Sequence, residues 1–189
     1  MKDWGGIAAG LGTVLCFVAM LVAGRLGATT DALTVYDLAG LRMGVAALCA
    51  TPFLLRSYPW KVDVRAHAVV AFFGGAPFVL LIFGGMVFAP VGHAAVMMNG
   101  SLPVFAAFVT WIWVGDRPGR WQWVGIVAIT AGVGAVGWEA VAGGIPGQWR
   151  GHLLFLAAGL SAAIWYGGMR AWRLSVIQSL AALLVTNAL

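Results

Sequence analysis

Apolar segments of about 20 residues, separated by short polar breaks, recur along the whole length of this chain. A hydrocarbon core about 30 Å thick is crossed by roughly 20 residues of helix rising about 1.5 Å each. The predicted spans run from Trp4 to about Gly24, Val35 to Leu55, Ala66 to Phe88, Gly92 to Val114, Trp121 to about Ala142 and Gly151 to about Gly168. A seventh begins near Leu174 and is still apolar at Leu189, about four residues short of a full crossing. The first segment exceeds the roughly 7–15-residue core of a signal peptide, which favours a retained helix. Hydrophobic residues make up 62% and charged residues 9%, against roughly 45–50% and 25% in soluble domains. The expected fold class is an all-α polytopic membrane protein with about seven transmembrane helices.

The positive charges fix an orientation. Threading the spans back and forth places Lys2, Arg56, Lys61, Arg65, Arg117, Arg120, Arg170 and Arg173 on one side, leaving Arg25 and Arg150 opposite and Arg42 inside a span. Short loops rich in Lys and Arg stay in the cytoplasm. The chain is therefore expected as a multi-pass protein of the cell (inner) membrane with a cytoplasmic N-terminus. Trp4, Trp60, Trp121, Trp123, Trp138, Trp149 and Trp172 fall near the predicted interfaces, where amphipathic rings prefer to sit. The net charge of +5 reads as an insertion signal rather than a nucleic-acid patch, because no basic cluster is interleaved with exposed aromatics. Cys16 and Cys49 lie inside apolar spans and read as packing residues, without the spacing of a disulfide framework, zinc site or redox pair. No cofactor or metal is expected.

Gly10-Leu11-Gly12-Thr13-Val14 has a weak echo in Gly159-Leu160-Ser161-Ala162-Ala163, and Leu33-Thr34-Val35 in Leu174-Ser175-Val176. About five helices separate the two starts, an odd number, so the second copy enters the membrane from the opposite side. That is an inverted-topology repeat, a construction of secondary transporters with a midplane site.

The stretch Gly92-His93-Ala94-Ala95, then Leu102-Pro103-Val104-Phe105, Gly115-Asp116-Arg117, Trp123-Val124-Gly125 and Ala131-Gly132-Val133 resembles the EamA-type repeat of the drug/metabolite transporter superfamily. Leu41-Arg42 resembles the Leu-Arg pair of that family's second helix. The resemblance implies two inverted five-helix halves: a complete first repeat over residues 1–142, an external loop at 143–150 and an incomplete second repeat at 151–189. It further implies an exporter of small organic metabolites, with a partner copy or an absent second half completing it. The polar run Asn99-Gly100-Ser101 departs from the more apolar family pattern.

Candidate substrate-binding residues are Arg42, Asn99, Ser101, Pro103, Trp165 and Tyr166. An Arg in the membrane core costs about 2.5–3.5 kcal/mol on insertion scales, so Arg42 is expected to face protein or water. It anchors an anionic substrate group or pairs structurally, with backbone carbonyls or a carboxylate such as Asp37. Pro103 lacks an N–H and frees the carbonyl of Asn99, while Asn99 and Ser101 add polar groups at the same depth. A locally opened polar helix at mid-membrane suits a binding site; the same side chains also serve as interhelical glue worth about 0.6 kcal/mol. Pro77 frees the carbonyl of Phe73 without polar neighbours in sequence and reads as a kink. Trp165 and Tyr166 would give a central pocket aromatic walls with a polar tip. His93 and Glu139 lie near outer helix ends, where water reaches them.

Two motifs carry no chemistry here. Gly132-Val133-Gly134-Ala135-Val136-Gly137 fits G-x-G-x-x-G but lies within an apolar span, without the preceding strand of a dinucleotide fold. Ser101 and His93 are about 12 Å apart along one helix, too far for a nucleophile and its base. An enzyme is not expected. The leading reading is a secondary transporter working by alternating access. A small-subunit multidrug pump would need a carboxylate deep in the first helix, and Gly5 to Gly24 contains none. The alternative from another class is a non-transporting membrane scaffold or assembly subunit.

Overall fold

The computed structural model describes residues 4–28, 33–57, 63–142 and 145–187. The basic loop around Lys61 and the outer-loop Gly144 lie outside these, as do Lys2 and Thr30. The described residues form α1 (Trp4–Ala28), α2 (Val35–Ser57), α3 (Val64–Gly74), α4 (Ala76–Phe88), α5 (Val91–Ala94), a π-helical turn (Ala95–Gly100), α6 (Ser101–Val114), α7 (Arg120–Ala142), α8 (Gln148–Ala171) and α9 (Val176–Asn187). Among them, 5 stretches are long and apolar enough to cross a membrane: Gly5–Gly27, Val64–Phe88, Val91–Val114, Arg120–Glu139 and Gln148–Ala171. Helix α2, at 23 residues, has the length of a span, and the described part of α9 covers 12 residues. The chain is an all-α polytopic membrane protein.

Local chemistry sets the helix ends. Thr34 and Asp37 form a reciprocal cap on α2: Thr34 N–H donates to Asp37 Oδ2 at 2.8 Å, and Asp37 N–H to Thr34 Oγ1 at 3.2 Å. Ser175 and Gln178 repeat the device at α9, with N–H to Oε1 and N–H to Oγ distances of 2.8 and 3.2 Å. Asp63 caps α3 by accepting from Arg65 N–H at 2.9 Å. Gly115, at φ 77°, closes α6 in the left-handed conformation that glycine adopts without strain.

Two predicted spans are broken at mid-length. The third is interrupted at Gly75 (φ −91°, ψ −138°), and Pro77 opens α4. The fourth relaxes into the π turn just before Pro103. A wider turn is how a helix absorbs a lost i→i−4 bond.

Helix α8 lies between these broken helices. Its Gly151, Phe155 and Trp165 meet Ala89, Gly85 and Gly74, so it runs antiparallel to α3–α4. Its His152, Gly159 and Gly167 meet His93, Ser101 and Val109 in the same order, so it runs parallel to the α5–α6 span. Small residues at Gly159, Ala163 and Gly167 allow that close approach, the usual solution where lipid supplies no hydrophobic drive. A Cβ at Gly159 would lie 2.6 Å from Ser101 Oγ and 2.9 Å from the Met98 carbonyl. Phe155, Ile82, Met86 and Met97 fill the core around this seam. Helices α1 and α7 are peripheral, presenting Leu11, Leu15, Trp121, Val127 and Trp138 outward. Cys16 and Cys49 are free and exposed on outward faces rather than packed in the core.

Gly159→Val should therefore wedge α6 from α8 and cost about 1–3 kcal/mol, as overpacking does. Gly132→Ala, where an added Cβ meets nothing within 4 Å, should leave stability unchanged or slightly raised. Thermal unfolding of both variants in detergent checks the contrast; equal midpoints would remove the seam from its central role.

Candidate functional site

The carbonyl that Pro77 frees has a partner from another helix. Ser161 Oγ donates to the Phe73 carbonyl at 2.7 Å. Two residues earlier on α8, Gly159 sits against the π turn, where Ser101 Oγ donates to the Met97 carbonyl and, at 3.2 Å, to that of Met98. Both interruptions thus face the same short stretch of α8.

The six sequence-predicted residues do not converge on one pocket. Ser101 is buried and engaged with its own helix, whereas Asn99 and Pro103 are exposed on the far side. Trp165 packs against Gly74 and Phe78, and its Nε1–H donates to Ser179 Oγ at 3.0 Å, tying α8 to α9. Tyr166 stacks on Trp165 with ring centroids 4.6 Å apart and is exposed. Arg42 is half-buried on α2, and its Nη1 is buried without a hydrogen-bond partner among the described residues. Asp37 does not serve it, being part of the α2 cap.

Asn99, Pro103, Ala106 and Thr110 follow one another at helical spacing. Three of them, Pro103, Ala106 and Thr110, line a groove of about 200 Å³ closed by Asp116, Pro118, Gln122 and Arg170. Arg170 on α8 pairs with Asp116 at 3.5 Å, both side chains well exposed. Tyr166 lies one turn before Arg170 on the same face of α8. This end of the bundle holds the turns after α6 and α8.

The opposite end has a second connection between the same two spans, made by residues the sequence left unconnected. His152 and Gln148 on α8 are buried, and both reach His93 on α5. His93 Nδ1 lies 2.8 Å from His152 Nε2 and 3.0 Å from Gln148 Nε2. Gln148 Oε1 accepts from the Ile145 backbone N–H at 3.1 Å, which orients the amide so that its nitrogen points at His93. Beside the cluster, Met97, Gly134, Gly137, Trp149 and Leu156 help line a cleft of about 270 Å³. The signal available in sequence was only that His93 and His152 both begin spans on the same predicted side. Among the described residues, no group of three or more His, Cys, Asp or Glu is arranged to hold a metal.

Comparison with curated proteins and with solved structures gave no match. Residues 4–138 match the EamA-like transporter family, and the chain belongs to it.

Proposed function

We propose that this protein is a secondary transporter that exports small organic metabolites across the cell (inner) membrane by alternating access, with no enzymatic step. Beyond the family itself, one observation carries the reading: two helices interrupted at mid-span flank α8 at Ser161 and Gly159. Broken helices at the midplane are where transporters expose backbone polar groups to substrate.

In this reading residues 1–142 are one repeat and residues 151–189 open its inverted counterpart, with 143–150 as an outer loop. The directions of the helices support it. Arg25, near the end of α1, donates to the Ala89 carbonyl at 3.3 Å, and α8 begins at that same end of the bundle, so α1 and α8 run in opposite directions. The solute path follows the exposed side of the α5–α6 span, from Asn99 past Pro103 towards the groove at Asp116 and Arg170, with Tyr166 beside it. Ser101 and Trp165 shape the path by holding the π turn and α8 in place. Arg42, whose Nη1 has no hydrogen-bond partner among the described residues, attracts an anionic group.

Cysteines placed in the loop Ser57–Val64, the turn Gly115–Gly119 or at Ala171–Trp172 should resist a membrane-impermeant thiol reagent in intact cells, on a Cys16→Ala, Cys49→Ala background. Those at Thr30 or Gly144 should react; labelling of the basic loops from outside would overturn the orientation. In proteoliposomes offered a panel of anionic, cationic and neutral metabolites, Asn99→Leu should lower flux several-fold while protein yield stays normal. Flux unchanged at low and saturating substrate would remove Asn99 from the path. Arg42→Lys keeps the charge but loses the planar fork. It should fold and lose flux of anionic solutes more than of neutral ones, and equal losses with a lowered melting temperature would make Arg42 architectural.

A further inference from the structure

The geometry points to a proton-operated latch formed by His93, His152 and Gln148 at the end of the bundle where α5 and α8 begin. The hydrogen bonds fix its closed state. With its oxygen held by Ile145 N–H, the Gln148 amide presents an N–H to His93 Nδ1, so that nitrogen is the acceptor and carries no proton. His93 is then protonated on Nε2. The second neighbour of Nδ1, His152 Nε2 at 2.8 Å, must also donate. One bare ring nitrogen therefore receives two N–H groups from α8, and both rings are neutral when the latch is shut.

Proton uptake acts unequally on the two rings. A proton on His152 Nδ1 leaves its Nε2–H in place, and the bond to His93 becomes charge-assisted. Glu139 on α7 also interacts electrostatically with His152. A proton on His93 Nδ1 converts the sole acceptor into a third donor facing two others. Both links to α8 are lost together, and if His152 is already charged the two cations repel at a ring separation of 5.0 Å. Among the described residues, two cations near this end are engaged by other groups. Arg25 on α1 reaches the Ala89 carbonyl, and Arg150 lies over the Trp149 ring at 5.6 Å. Histidine is the side chain whose charge ordinarily changes between about pH 5 and 8. Acid on this face releases α5 from α8 at the end remote from the Asp116–Arg170 groove. Within the alternating-access reading, on which this last step rests, the released end is one of the two gates.

The test needs no substrate, so it stands or falls apart from the transporter reading. Nitroxide labels on Gly92→Cys and Ile145→Cys, with Cys16 and Cys49 changed to Ala, report the span of the latch in lipid vesicles. The distance distribution should move reversibly to longer values between pH 8 and pH 5. His93→Gln supplies a carbonyl acceptor that does not titrate, and it should hold the short distance at both pH values with normal yield. The 15N spectrum of the protein's 3 histidines should show His93 with a bare Nδ1 at pH 8 and doubly protonated at pH 5. A distance that ignores pH in the parent, or one that still lengthens in His93→Gln, would overturn the latch; so would a His93 protonated on Nδ1 at pH 8.

Discussion

A bilayer offers a backbone carbonyl nothing to bond to, so each proline within a spanning helix obliges a neighbour to supply a donor or the helix to change its pitch. This chain uses both solutions, one in each broken span. At Pro77 the donor comes from outside, as the Ser161 hydroxyl on the Phe73 carbonyl. Before Pro103 the helix opens into a π turn, and Ser101 turns its hydroxyl back on the carbonyls of Met97 and Met98. The two serines and the glycine between the helices make α8 the element on which both interruptions depend. The burial of α8 follows from that. It is lined by Gly151, Phe155, Ala158, Gly159, Ala162 and Ala163 on its packed side, while α1 and α7 remain almost entirely outward-facing.

Residues described as one cluster in sequence separate for a simple geometric reason. Asn99 and Ser101 are two positions apart, and at about 100° per residue their side chains point roughly 200° from each other. Ser101 turns into the α8 seam and Asn99 away from it. Trp165 and Tyr166, adjacent on α8, divide in the same manner between a contact with α3, α4 and α9 and an exposed face. The candidate path is accordingly a stripe along one helix face rather than a pocket closed around six residues.

The spans were legible because length and apolar composition act locally; the caps that set their ends, Thr34 with Asp37, Ser175 with Gln178 and Gly115, are equally local but were not part of that reading. Pro77 and Pro103 announced where the helices would break. What supplied the missing donor was not legible: Ser161 is 88 residues from Phe73, and no periodicity links them. The same holds for His93 and His152, 59 residues apart, each of which alone resembles an ordinary solvated helix end. Long-range polar pairs of this kind depend on which helices become neighbours, and that is decided by small-residue faces whose pattern occurs on almost every span of this chain.

The two connections between the α5–α6 span and α8 are chemically different. At one end stands an exposed carboxylate–guanidinium pair, of a type worth about 0–1 kcal/mol and weakened by dissolved salt. At the other end a largely buried trio, its rings neutral in the proposed closed state, gives salt little to screen and is the link that the latch reading makes responsive to acid. The bundle is thereby addressed by two separate solution variables, ionic strength at one face and proton concentration at the other. A membrane that holds different ionic conditions on its two sides would bias α8 toward tilting about its middle, with Ser161 and Gly159 as the fulcrum.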